Sequence, residues 1–146
     1  MWASVVVLLL APTAAAHPLR TWIFLGAKNV GYIERYEFGG WYVGSGACND
    51  WIVPQSAGQL ISGEGSAKNV FARLQRVSPT RWDHYNRTGE SKPVWRRDGY
   101  VSRINSTTWN AYVGTRRIGY VRGRDGAAAA MALLDHRSPD LLVCLK

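Results

Sequence analysis

Three times in this chain a Gly-Tyr pair followed by Ile or Val comes after an upstream tryptophan. The copies are Gly31-Tyr32-Ile33 after Trp22, Gly99-Tyr100-Val101 after Trp82, and Gly119-Tyr120-Val121 after Trp109. The segment from Trp22 to Ile33 aligns with Trp109 to Val121 once one inserted residue is allowed, and Trp82-Asp83-His84-Tyr85 echoes Trp109-Asn110-Ala111-Tyr112. Trp, Tyr, Val, Ile and Phe suit a pleated surface, and Gly or Asn punctuates between the runs. Each unit therefore reads as two strands and a turn, recurring within two similar halves, 17–67 and 68–146. Gly inside a strand leaves room for a ring from the neighbouring strand, so Trp–Gly pairs are expected to hold the sheet together.

Strands are predicted at Trp22–Leu25, Val30–Tyr36, Trp41–Val43, Trp51–Val53, Val70–Val77, Arg81–Tyr85, Gly99–Ile104, Trp109–Val113 and Ile118–Arg122. Helix is confined to Ala127–Leu134, a strong helix-forming run after the capping residue Asp125 and before Ser138-Pro139. Its Met131 and Leu134 are expected to face the sheet. A weaker matching helix is expected at Pro54–Ile61, and a short buried strand at Leu141–Leu145. The predicted fold is α+β and mostly β: an antiparallel hairpin or meander sheet with a short C-terminal helix on one face.

Residues 5–11 are apolar, Pro12 follows, and Ala14-Ala15-Ala16 precedes His17-Pro18. Such an order reads as a signal peptide cut near Ala16, leaving 17–146 as a single exported domain, secreted or periplasmic. The apolar run is shorter than the roughly 20 residues of a membrane-spanning helix. In an oxidising compartment Cys48 and Cys144, the two cysteines of the chain, are expected to form a disulfide.

The net charge of +8 is unevenly spread: residues 68–124 hold 13 Lys/Arg against 3 acids. Arg prevails, and its planar fork suits phosphate or carboxylate and stacks on rings. Arg96, Arg97, Arg103, Arg116, Arg117, Arg122 and Arg124 interleave with aromatic residues, among them Trp109 and Tyr120, as a surface tracking a polyanion would. G-x-S-x-G, G-x-G-x-x-G, P-loop, H-E-x-x-H and C-x-x-C patterns are absent. Two chemical alternatives remain. His84 with Glu90 could serve as an acid–base pair in a small secreted hydrolase of nuclease type. His17, once N-terminal, could chelate copper through its amine and ring nitrogen, although no cofactor is expected. Asn86-Arg87-Thr88 and Asn105-Ser106-Thr107 match the glycosylation pattern. The leading expectation is a non-catalytic exported binding domain whose basic face meets an anionic polymer, an anionic surface or an acidic protein.

Overall fold

Each Trp segment and its Gly-Tyr partner form the two arms of an antiparallel hairpin in the computed structural model, which describes residues 3–5, 20–36, 39–43, 50–64, 70–89 and 91–135. Trp22 lies in β1 (Arg20–Leu25) and Gly31 in β2 (Lys28–Arg35). Next come β3 (Trp41–Val43), β4 (Asp50–Gln55), β5 (Gln59–Glu64) and β6 (Val70–Ser78). Trp82 and Gly99 occupy β7 (Arg81–Thr88) and β8 (Val94–Arg103); Trp109 and Gly119 occupy β9 (Thr108–Val113) and β10 (Arg116–Arg122). The matching hairpins share a turn geometry. Gly26 and Gly114 adopt left-handed backbone at φ 60° and 59°. Their N–H groups donate to the carbonyls of Ile118 at 2.9 Å and Asp98 at 3.1 Å.

The ten strands do not stay an open meander. Each pairs antiparallel with its sequence neighbour, and β1 pairs with β10 from Trp22 opposite Arg122 to Leu25 opposite Gly119, which closes a barrel. Five strands come from each half of the sequence. Strand alternation sends Ile23, Ile33, Val43, Ile52, Leu74, Val101, Ala111 and Val121 inward, where all are buried. On the outer wall Arg81 and Arg97 both reach the carboxylate of Asp83, at 3.4 and 3.2 Å. Two stacked pairs also lie there, Phe24 on Tyr120 and Tyr100 on Tyr112, each with ring centroids 4.5 Å apart.

Helix α1 (Gly126–Asp135) lies on one face of the sheet, as the sequence reading expects, but that face is the inner one of a closed barrel rather than one side of an open sheet. Its Gly126 and every residue from Ala128 to Leu134 are buried, and it packs against eight strands, from β1 and β10 round to β5 and β6. The reason is geometric. Side chains alone fill the lumen of an eight-stranded barrel, whereas ten strands leave a wider one. A helix apolar on every side must be buried all round, and its alanines keep it slim enough to enter that lumen. No helix among the described residues is long and apolar enough to cross a membrane.

A second correction concerns Pro54–Ile61. It is the β4–β5 hairpin, with Ser56-Ala57-Gly58 at its turn. Ala57 and Gly58 both adopt φ 69°, which a helix does not allow. The β-branched Ile52, Val53 and Ile61 flank the turn, and Ile52 packs in the core. The segments 6–19, 44–49 and 136–146, with the cleavage region, the expected strand at Leu141–Leu145 and both cysteines, lie outside the described residues.

Candidate functional site

Alternating connections sort the loops between two barrel ends. The turns of β1–β2, β7–β8 and β9–β10 lie at one end, here called the turn rim. The β2–β3, β4–β5, β6–β7 and β8–β9 connections lie at the other, together with residues 123–125 that lead into α1; this end is the mouth. The arginines singled out in the sequence divide accordingly. Arg116 and Arg117 open β10 at the turn rim, and Arg96 and Arg97 lie on the β7–β8 hairpin at the same end. Arg103, Arg122 and Arg124 belong to the mouth. The single basic face of the sequence reading is thus two separate groups.

At the turn rim all four guanidinium groups are exposed. Arg97 reaches Asp83; Arg96, Arg116 and Arg117 have no carboxylate partner among the described residues. Three open depressions run along this rim. One is lined by Arg97, Gly99 and Gly114, the next by Val113, Arg116 and Arg117, and the third by Asn86, Thr88, Arg96 and Arg97. They bring the β7–β8 and β9–β10 hairpins into one edge whose lining is basic apart from Asp98, which borders the first and third.

The aromatic partners are placed less uniformly. Tyr120 points outward, stacked on Phe24, with the Arg122 guanidinium 5.8 Å from its centroid. Trp109 points into the mouth, 8% exposed, and a Cβ on Gly126 would come within 1.9 Å of its indole ring. The Trp–Gly contact therefore exists, but with the first residue of α1 rather than a strand glycine. Gly99 and Gly119 instead admit the helix: their absent Cβ atoms would meet Leu134 and Leu133, and the carbonyls of Tyr112 and Phe24.

Inside the barrel sits a site that sequence reasoning does not assemble. His84 projects from β7 into the lumen and is fully buried. Nδ1 lies 2.6 Å from the Asp98 carboxylate on β8, and Nε2 lies 2.6 Å from that of Asp135, the last residue of α1. Ser62 of β5 donates to the second oxygen of Asp135, and Asn86 donates to that of Asp98. Burial alone would lower the His84 pKa; the hydrogen bonds to Asp135 and Asp98 and their two charges overcome it and push the pKa up to about 9. At neutral pH the ring is an imidazolium donating from both nitrogens. Its positive charge at the C-terminal end of α1 also complements the helix dipole. One hint of this was present. Trp82 and His84 share the face of β7 that points inward, so a charged ring there needed partners.

As found, His84 has no ring nitrogen left to act as a base, and Glu90 lies outside the described residues. His17 lies outside them too. Among the described residues no group of His, Cys, Asp and Glu side chains could hold a metal ion. Of the glycosylation matches, the Asn86 amide is engaged with Asp98, and Asn105 is exposed, its side-chain oxygen accepting from the Thr107 N–H at 3.0 Å. The fold and these two ends define a closed antiparallel barrel built around a central helix. Compared with protein-family models, with curated proteins and with solved structures, the chain matches none of them.

Proposed function

We propose that this protein is an exported, non-catalytic binding domain that uses its turn rim to hold an anionic polymer. The observation carrying this reading is the continuous edge formed by Arg96, Arg97, Arg116 and Arg117, three of them free of carboxylate partners among the described residues. Guanidinium groups spaced along adjacent turns can meet successive sulfates or phosphates bidentately. Binding of this type releases counterions, so it weakens steeply with salt. Export rests on the leader-like residues 1–16. The double engagement of His84 gives a hydrolytic reading no support, because a general base needs a free lone pair within reach of substrate.

The test is a titration of the mature protein with heparin and with single-stranded DNA at two salt concentrations. Saturable binding that weakens with salt is expected, with a loss of tenfold or more in the double variant Arg116→Glu/Arg117→Glu. Replacing His84 should leave the affinity of the folded fraction unchanged. Absence of binding at low salt would dispose of the rim as a polyanion surface.

A further inference from the structure

The mouth contains a pocket of about 330 Å³, distinct from the rim and at the opposite end of the barrel. Three indoles converge on it from three strands: Trp41 of β3, Trp82 of β7 and Trp109 of β9. Leu60 adds an aliphatic wall, the first turn of α1 forms the floor, and Arg103 and Arg124 stand at the edge. Arg103 is held in place: its Nε donates to the Asn105 carbonyl at 2.9 Å and an NH2 group to that of Ser106 at 3.4 Å. That clasp fixes the guanidinium over the cavity while leaving further N–H donors for a ligand. Asp125 is the one acidic residue of the lining.

Small-molecule sites of this type are concave, largely apolar and oriented by a few polar groups, and 330 Å³ lies at the small end of their range. The indole walls select a flat ring face, and the two guanidinium groups select a negative substituent at its edge. We propose that the mouth binds a small organic anion: a single ring bearing one carboxylate or sulfate. A uronic acid and an aryl carboxylate share this chemistry, the first stacking through C–H bonds and the second through its π face. Nothing in this inference depends on the rim binding a polymer.

The experiment follows the tryptophan indole N–H signals of the ¹⁵N-labelled protein by NMR during titration with glucuronate, with 4-hydroxybenzoate and with their methyl esters. Trp22, Trp51 and Trp95, which do not line the mouth, serve as internal references. Saturable shifts confined to Trp41, Trp82 and Trp109 are expected for at least one acid, and which acid responds identifies the ring type. Arg103→Gln should weaken that binding by about tenfold, the value of one charge-assisted contact. Ala127→Trp, which fills the mouth from a half-exposed helix position, should abolish it, and Arg116→Glu/Arg117→Glu should leave it intact. The spectrum of each variant reports whether it is folded, and Arg103→Gln alters only an exposed side chain. Failure of both acids to shift these signals, or shifts that survive Ala127→Trp, would overturn the site. Equal binding of acid and ester would overturn its preference for anions.

Discussion

His84 is the residue on which the interior depends. A buried imidazolium held between the buried Asp135 carboxylate and the half-buried Asp98 is stable only as a set: removing one partner from such a group leaves uncompensated charge and costs roughly 3–5 kcal/mol. His84→Ala should therefore lower stability by about that amount in a denaturant titration. The pH dependence has a definite sign. The folded pKa of about 9 stands above the unfolded value of 6.5, so the stabilisation is complete below pH 6.5 and is lost as pH rises through 9. A shift of that size corresponds to about 3 kcal/mol. Wild-type stability should fall between pH 7 and 10, and the fall should be absent in His84→Ala; a flat wild-type profile would mean that the ring is not charged in the fold. His84 stood out in the sequence, but its partners did not. Asp98, 14 residues away, reaches the ring across the bulged β7–β8 hairpin, whereas Asp135, 51 residues away, does so only because α1 enters the barrel.

At the scale of elements, glycines decide how closely neighbouring strands approach one another beneath α1. A Cβ on Gly99 would lie 2.2 Å from the Tyr112 carbonyl, and one on Gly119 would lie 2.0 Å from that of Phe24, both backbone atoms that cannot swing away. Gly99→Ala and Gly119→Ala should each cost about 2–3 kcal/mol through overpacking. Gly114→Ala meets no atom within 4 Å and should cost only about 1 kcal/mol, from its left-handed backbone. Equal losses at the three positions would contradict the close approach of neighbouring strand backbones at Gly99 and Gly119. Amide exchange gives an independent check on the helix. Within the lumen, Ala128–Leu134 should exchange as slowly as the central strands, whereas a helix docked on the outside would open separately and exchange faster. The hairpins were legible because Trp, Tyr and β-branched residues alternate around Gly turns, a purely local signal. Closure was not, since no local pattern specifies that Trp22 pairs with Arg122 across a hundred residues. The position of α1 was half-visible: a run of alanines, Met and Leu with no polar face belongs inside something, but the sequence did not show that the sheet would wrap around it. The β4–β5 turn was missed because Ser56-Ala57-Gly58 requires a left-handed alanine, which composition does not reveal.

For the whole molecule, barrel topology turns a string of basic residues into two ends with different characters: an open arginine edge at the turns and an indole-walled mouth over the start of α1. The charge bias toward residues 68–124 was plain in the sequence, but its division was not, because neighbours in sequence such as Arg117 and Arg122 lie at opposite ends of one strand. If general positive charge were responsible for polyanion binding, any two reversals would weaken it alike. If the rim is responsible, position decides. The most direct measurement compares heparin affinity and its salt dependence for wild type, Arg116→Glu/Arg117→Glu and the charge-matched Arg122→Glu/Arg124→Glu. The rim variant should bind at least tenfold more weakly, with a log–log salt slope reduced by about 1.5 for two lost contacts, while the mouth variant stays within about threefold of wild type. Equal weakening of the two variants would contradict a rim-specific surface and leave net charge as the whole explanation.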